Sequence, residues 1–177
     1  MNFIGIIPAR YASIRFPGKP LAMIKGKTMI QRVYEQAINA LPEVYVATDD
    51  ERIVQAVRNF KGNAVMTSSD HRSGTDRIRE ASDILSGSDN NKYDVIVNIQ
   101  GDEPFIQPEQ IRELIQCFDD KNTDIATLIK PINKNEELFN PNLPKVITDK
   151  YNYAIYFSRS TIPYIRNKDT YEWVSHF

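Results

Sequence analysis

Short apolar runs alternate along the chain with segments whose apolar residues repeat at helical spacing. The apolar runs cover residues 3–7, 44–48, 64–66 and 94–99, each of a length typical of a strand. Between them, apolar residues recur at i, i+3 and i+4, which is typical of a helix with one buried face. Strand and helix therefore alternate as βαβ units require. The pattern predicts an α/β fold with a mostly parallel central sheet flanked by helices.

Residues with oxygen-bearing side chains mark where the predicted helices begin. Thr28 precedes the first helical stripe, Asp49 or Asp50 the second, and a third helix is predicted over residues 75–85. A fourth has Ile111, Leu114, Ile115 and Phe118 on one face. Further strands are predicted at residues 125–129 and 154–157, separated by a proline-containing stretch. Residues 86–91 are predicted to form a polar surface loop.

Length, composition and charge narrow the class of protein. A chain of 177 residues with 41% hydrophobic content can bury one substantial core, so a single domain over residues 1–177 is predicted. The net charge of -1 favours neither nucleic acid nor a membrane surface as a partner. The opening apolar run is too short for a signal peptide or a membrane span, which predicts a cytoplasmic protein. Cys117, the single cysteine, is predicted to be buried.

The loop after the first strand is the first candidate site, because ligands of doubly wound sheets bind outside the carboxyl ends of the strands. Arg10, Arg15 and Lys19 bring three cations into ten residues, and a nucleoside triphosphate would explain their convergence. Gly18 allows a ligand to approach the backbone closely. The alternative is a solvated loop with scattered basic residues. No G-x-G-x-x-G motif occurs, and Gly26-Lys27-Thr28 lacks the earlier glycine of a P-loop.

Two further polar segments follow predicted strands. Asp102 comes directly after the run at residues 94–99, where one carboxylate together with substrate phosphates could hold Mg²⁺. Simple turn chemistry is the alternative for Gly101-Asp102. Residues 70–77, DHRSGTDR, open the third helix and could contact a base or ribose. His71 lies in this cluster, but no serine or cysteine nucleophile can be paired with it, so a catalytic role is not predicted.

These segments, in this order, resemble the 3-deoxy-manno-octulosonate (Kdo) cytidylyltransferase family. The similarity begins with residues 6–20, IIPARYASIRFPGKP, and covers essentially the whole chain. It continues through residues 46–49 (VATD), 70–77 (DHRSGTDR), 97–104 (VNIQGDEP), 139–141 (FNP) and 156–163 (YFSRSTIP).

The resemblance implies a Rossmann-like nucleotide-diphospho-sugar transferase fold and transfer of CMP from CTP to Kdo, with release of pyrophosphate, for lipopolysaccharide biosynthesis. It implies catalytic roles for Arg10, Lys19 and Asp102, with Asp102 holding Mg²⁺ as the cofactor, and a sugar site at Gln100 and Arg159. It also implies a homodimer. The nucleotide site that the resemblance implies consists of Pro8, Ala9, Arg10, Ser13, Arg15, Lys19, Ser73, Gly74 and Arg77.

The resemblance also implies a longer protein, since in the family an additional C-terminal part carries a histidine and a tyrosine for the sugar and a second aspartate for the metal. The chain is therefore expected to lack the family's C-terminal part. One alternative is activation of another sugar acid, such as sialic acid, or transfer of another nucleotide to a sugar phosphate. A nucleotide-binding module without turnover is the alternative from a different class of protein.

Overall fold

The computed structural model describes residues 1–12, 16–87 and 92–164. The chain forms two compact units, Met1–Ala126 and Thr127–Phe177. Each unit has a sheet of its own, whereas the sequence predicted a single domain over residues 1–177. That the two units fold as one domain stays a prediction.

The first unit is built on a parallel sheet with the strand order β5-β4-β1-β6. Both neighbours of β1 run parallel to it, in registers that pair Ile7 with Val46 and Gly5 with Val97. A short antiparallel hairpin, β2 with β3, follows the first loop. The strands are β1 (Phe3–Ala9), β2 (Met23–Ile24), β3 (Lys27–Thr28), β4 (Val44–Thr48), β5 (Ala64–Met66) and β6 (Val95–Asn98).

Three helices of this unit begin close to the residues that the sequence indicates. The Thr28 and Ser73 side chains each accept a hydrogen bond from the backbone N–H of the third residue of α1 and α3, and Asp50 caps α2 by accepting from its second residue. The sequence left Asp49 and Asp50 open as the cap of the second helix, and the structure selects Asp50. The helices are α1 (Met29–Ala37), α2 (Glu51–Asn59), α3 (Gly74–Ser86) and α4 (Pro108–Gln116).

Strand β1 packs helices on both of its faces. Ile7 belongs to a core cluster that includes Ile30 of α1 and Ile111 of α4, whereas Ile6 belongs to a second cluster with Ile78 of α3. All five side chains are at least 94% buried. Successive side chains of a strand point to opposite faces, so Ile6 and Ile7 are both buried because helices cover both faces of the sheet. The predicted α/β class with a parallel sheet is confirmed.

Strand β1 is two residues longer than the apolar run at residues 3–7 that predicted it, because it includes Pro8 and continues to Ala9. Ile99 donates its backbone N–H to Ile6 O, so the polar groups of Ile6 face β6. Pro8 lies two residues further and faces the same side, but the ladder with β6 has already ended at the pair of Ile6 with Asn98. The missing N–H of the proline therefore costs no ladder hydrogen bond.

The second unit contains the helix α5 (Asn135–Phe139) and the antiparallel pair β7 (Lys145–Thr148) and β8 (Ala154–Ser158). Strand β8 confirms the prediction at residues 154–157. The strand predicted at residues 125–129 is wrong: this run pairs with no described strand, and Ile125 is 89% exposed. An apolar run becomes a strand only where its backbone groups find a partner, and β propensity alone does not supply one.

The prediction that Cys117 is buried is also wrong. Helix α4 ends at Gln116, and Cys117 begins a short 3-10 turn with its Sγ 3.5 Å from Glu113 O. Apolar spacing identified the helix, but Cys117 lies just after its last residue, where the helical spacing no longer predicts which side chains are buried. Across the part of the chain that the structure describes, no helix has the length and apolar character needed to cross a membrane.

Candidate functional site

A pocket of about 560 Å³ opens at the carboxyl ends of β1 and β6. This volume lies within the usual range for small-molecule sites, and the position is where an open parallel sheet binds its ligands. Three separate chain segments line it, and their members are Pro8, Ala9, Arg10, Phe16, Lys19 and Pro20, then His71, Arg72, Ser73, Gly74 and Arg77, and finally Gln100, Gly101 and Asp102. The structure therefore brings together all the predicted site residues of the first unit that it describes.

The ends of the first loop are joined by backbone hydrogen bonds. Gly18 N–H donates to Tyr11 O over 2.9 Å, and Lys19, Pro20 and Leu21 then form a single 3-10 turn. Gly18 has a φ of +71°, a conformation that favours glycine. Ser13 and Arg15, both predicted to bind the nucleotide, lie outside the described residues, and their roles stay predictions.

Besides the buried Arg77, three cationic side chains line the pocket. Arg10 and Arg72 are exposed and form no hydrogen bond or salt bridge with any described residue, so both guanidinium groups are available to an anion. Lys19 is the third, with its Nζ 2.7 Å from Asp102 Oδ2. Arg72 was not among the predicted site residues, although it lies inside the polar cluster at residues 70–77 that the sequence singled out.

Asp102 lies in the turn after β6, and its side chain is 54% exposed. Within the described ranges, no group of three or more His, Cys, Asp or Glu side chains is arranged to hold a metal ion. Asp102 is the one carboxylate among the described residues that line the pocket, so a cation held here would complete its ligand shell with water or phosphate oxygens, as Mg²⁺ commonly does. The neighbouring Gln100 is exposed and donates through Nε2 to Asn98 Oδ1 over 2.9 Å.

The amino terminus of α3 forms another wall of the pocket. Ser73 caps the helix: its Oγ accepts from Asp76 N and donates to Asp76 Oδ2 over 2.7 Å, which occupies the hydroxyl. Ser73 and Gly74 both line the pocket, at the end of the helix where the dipole and free N–H groups favour an anion. The arrangement suits phosphate binding through backbone groups of α3 more than through the Ser73 side chain.

Arg77 is buried, with its side chain 4% exposed, and connects three elements. Its Nη1 donates to Thr67 Oγ1 over 2.6 Å, and its Nη2 lies 3.1 Å from Asp49 Oδ2. A buried guanidinium needs such partners, because desolvation of an unpaired charge is costly. Arg77 therefore holds the wall of the pocket in place. The sequence predicted a contact of Arg77 with the nucleotide but not this structural role.

The loop between β5 and α3 is held by Glu80, which lies on α3. The Glu80 carboxylate accepts a hydrogen bond from His71 Nε2 and another from Ser68 N, the latter over 2.8 Å. The hydrogen bond from His71 is the main cause that holds the pKa of Glu80 below its ordinary value, with Ser68 adding to it and desolvation opposing it. His71 therefore lines the pocket as one of the two residues of this loop that Glu80 holds.

Arg159 belongs to the second unit and is described within it. Its Nη1 donates to Pro141 O over 3.0 Å, and its backbone O accepts from Lys145 Nζ over 3.3 Å. Lys145 is 5% exposed and also donates to Asn140 O over 2.6 Å, so these contacts tie β8 to the turn that precedes β7. The role of Arg159 in binding a sugar stays a prediction.

A parallel sheet with cations and one carboxylate at its carboxyl edge characterises the chain as an α/β protein with a site suited to an anionic ligand. Comparison with known proteins then gives the family. Residues 4–176 match the cytidylyltransferase family. The 3-deoxy-manno-octulosonate cytidylyltransferase of Parabacteroides distasonis is 61% identical over 98% of this chain and 69% of its own length. The corresponding protein of Bacteroides thetaiotaomicron is 58% identical with the same coverage of both chains.

A solved structure gives the same answer in three dimensions. The structure of CMP:2-keto-3-deoxy-manno-octonic acid synthetase complexed with CTP superposes with a TM-score of 0.83 and 44% sequence identity. The match covers 97% of this chain and 69% of the other. The chain belongs to the 3-deoxy-manno-octulosonate cytidylyltransferase family of nucleotidyltransferases, and the resemblance seen in the sequence is confirmed.

Proposed function

We propose that this chain binds CTP in the pocket at the carboxyl ends of β1 and β6 and transfers CMP to Kdo, releasing pyrophosphate. The carrying observation is the convergence of Arg10, Lys19 and Arg72 on one pocket. A triphosphate brings three to four negative charges, and guanidinium groups bind phosphate oxygens in a bidentate manner. The names of the relatives support CTP and Kdo as the substrates.

The cations have a role in the reaction as well as in binding. The anomeric hydroxyl of Kdo attacks the α-phosphorus and loses its proton to solvent, a new O–P bond forms, and the bond between the α-phosphorus and the oxygen that bridges to the β-phosphorus breaks. Negative charge increases on the pyrophosphate that leaves, and Arg10, Lys19 and Arg72 stabilise it there. Groups that are already in place when this charge develops give the largest stabilisation.

Asp102 is the proposed ligand of Mg²⁺. Its exposed carboxylate is a hard oxygen donor on the pocket wall, and a single carboxylate is sufficient where phosphates supply further oxygens. When bound, Mg²⁺ would neutralise charge on the transferring phosphoryl group. Lys19, which pairs with Asp102 in the free protein, would then be released to the phosphates.

The remaining assignments concern the sugar and the cellular context. We assign Gln100 to the Kdo site, and the reaction to the activation of Kdo for lipopolysaccharide biosynthesis; a role of Arg159 in binding the sugar stays a prediction. Gln100 is exposed on the same pocket wall as Asp102, which supports its assignment. Since CTP is a cytoplasmic substrate, we place the protein in the cytoplasm, and we expect a homodimer.

Calorimetry with CTP and Mg²⁺ tests the binding step. Arg10→Ala and Lys19→Ala should each weaken CTP binding by about 1.5 to 3 kcal/mol, the range for a charge-assisted hydrogen bond. Arg79→Ala is the matched control, because Arg79 is 83% exposed on α3 and does not line the pocket. Unchanged affinity in both pocket variants would contradict the assignment of the loop.

A turnover assay tests the reaction and its specificity. Pyrophosphate release is measured with Kdo and with sialic acid, each with all four nucleoside triphosphates and Mg²⁺. CTP with Kdo should give the highest rate and a CMP-sugar product. Binding of CTP without any CMP-Kdo would identify a nucleotide-binding module instead. A preference for sialic acid or for another nucleotide would reject the proposed substrates.

A further inference from the structure

Tyr11, at the start of the first loop, contacts a residue of another element. The guanidinium carbon of Arg52, on α2, lies 3.3 Å from the centroid of the Tyr11 ring. A cation this close to the face of an aromatic ring is attracted by the negative charge density of that face. Neither residue lines the pocket, so binding the ligand does not by itself explain the contact.

Arg52 is held in its orientation by Asp50. Arg52 Nε donates to Asp50 Oδ1 over 2.9 Å, and Arg52 Nη2 donates to Asp50 Oδ2 over 2.6 Å. The same carboxylate accepts from Arg52 N over 3.0 Å as the cap of α2. Two parallel hydrogen bonds fix the plane of a guanidinium group, so the cation is presented to Tyr11 without much loss of side-chain freedom on contact.

The other end of the loop meets the same tyrosine. Gly18 N–H donates to Tyr11 O over 2.9 Å, and a Cβ placed on Gly18 would come within 3.0 Å of the Tyr11 ring. Arg10 immediately precedes Tyr11, and Lys19 immediately follows Gly18. Whatever fixes Tyr11 and Gly18 therefore fixes the backbone from which both cations extend.

We infer that Asp50, Arg52, Tyr11 and Gly18 form a clamp that positions Arg10 and Lys19 for the triphosphate before it binds. The inference rests on the proposed binding of CTP and extends it to residues outside the pocket. Asp50, Arg52 and Tyr11 are positioning residues, since they act through Arg10 and Lys19. A site ordered in advance loses less conformational freedom when the ligand arrives, so loosening the clamp lowers affinity without removing a ligand contact.

Substitutions at both ends of the cation–ring contact test the effect on binding. Arg52→Met keeps the apolar stem and removes the charge, and Tyr11→Leu removes the ring. Each should weaken CTP binding about three- to fivefold, and the double variant should be no weaker than the worse single variant because both remove one contact. Tyr11→Phe retains the ring and should stay within about twofold of the unaltered protein. Arg58→Met, at a 64% exposed side chain of the same helix, is the control.

Hydrogen exchange of the Gly18 amide gives a readout that needs no ligand. The chain has seven glycines, so selective ¹⁵N-glycine labelling gives a simple NMR spectrum. Exchange at Gly18 should accelerate in Arg52→Met and Tyr11→Leu but not in Tyr11→Phe or Arg58→Met. The Gly62 amide, which donates to Val57 O over 2.9 Å at the end of α2, should keep its rate and report an intact fold.

The two measurements separate the clamp from the proposed function. Unchanged Gly18 exchange in both Arg52→Met and Tyr11→Leu would overturn the clamp, whether or not CTP binds. Faster Gly18 exchange with unaltered CTP affinity would overturn its role in positioning Arg10 and Lys19. If the unaltered protein binds no CTP, the proposed function fails and with it the positioning role, while Gly18 exchange still shows whether the contact orders the loop.

Discussion

Lys19 Nζ and Asp102 Oδ2 lie 2.7 Å apart and join two loops that are 83 positions apart in the chain. The side chains are 37% and 54% exposed, so the ion pair contributes little to stability. Its significance lies in its position, because a lysine proposed to bind phosphate and an aspartate proposed to bind Mg²⁺ occupy each other in the free protein. CTP with Mg²⁺ supplies a new partner for each of them.

Replacing Asp102 by Asn should remove the dependence of CTP binding on Mg²⁺, because an amide oxygen carries no charge to hold the cation. Calorimetric titrations with CTP are compared in Mg²⁺ and in EDTA. The free energy of unfolding should change by no more than about 1 kcal/mol, the upper range for an exposed pair. Glu103→Gln, at the adjacent exposed carboxylate outside the pocket, should retain the full Mg²⁺ effect. A Mg²⁺ effect that persists in Asp102→Asn would reject Asp102 as the ligand.

Removing the charge of Arg77 should destabilise the first unit. Arg77→Met leaves Asp49 and Thr67 without their buried partner, and breaking such a buried pair costs about 3 kcal/mol or more. Denaturant unfolding gives the free-energy change. Arg79→Met, two positions along the same helix, should lie within about 0.5 kcal/mol of the unaltered protein because its ion pair with Asp83 is exposed. Equal effects of the two substitutions would show that burial of Arg77 contributes nothing.

Two glycines of the pocket should respond differently to alanine. A Cβ on Gly101 would lie 3.0 Å from the backbone O of Pro8, which cannot move without disturbing β1, whereas a Cβ on Gly74 meets Pro8 at 3.4 Å or more. Gly101→Ala should therefore cost about 1 to 3 kcal/mol of stability, the usual cost of overpacking. Gly74→Ala, at the first position of α3, should be neutral or stabilising. Thermal unfolding measures both, and the reverse order would contradict the packing described at Gly101.

The stability contributed by Glu80 should depend on pH in one direction. Its pKa in the folded protein is lowered from about 4.5, mainly by the hydrogen bond from His71, so the unfolded chain takes up the proton first as pH falls. The contribution is therefore present above about pH 4.5 and is lost as pH falls through the folded pKa. The gap in melting temperature between the unaltered protein and Glu80→Gln should shrink from pH 7 towards pH 3, whereas Glu103→Gln should show no such trend.

Much of the fold could be predicted because hydrophobic periodicity reports burial directly. Strands β4, β5 and β8 and the helix caps at Thr28 and Asp50 follow from local patterns of residues. Errors arose where a partner decides the outcome. Pro8 is accepted inside β1 because β6 has ended beside it, and residues 125–129 form no strand because no described strand pairs with them.

The candidate site was predicted as residue types on three separate segments, but their contacts were not. Arg77 illustrates the gap: the resemblance implied that it binds the nucleotide, and that role stays a prediction, whereas its burial against Thr67 and Asp49 as a support of the pocket wall was not predicted. Ser73 is similar, since capping of α3 occupies its hydroxyl. A charged or polar residue type does not reveal which neighbour will satisfy it.

By itself, the sequence determined the α/β class, the alternation of the parallel strands with the helices of the first unit, and the family, because these depend on local periodicity and on motifs that can be compared directly. Only the tertiary structure decided that Lys19 contacts Asp102 and that Arg52 stacks on Tyr11. It also decided that Arg10 and Arg72 line one pocket, where neither side chain has a hydrogen-bond or salt-bridge partner among the described residues. Such contacts join residues distant in the chain. They depend on strand order and on the packing of side chains, which no local pattern contains.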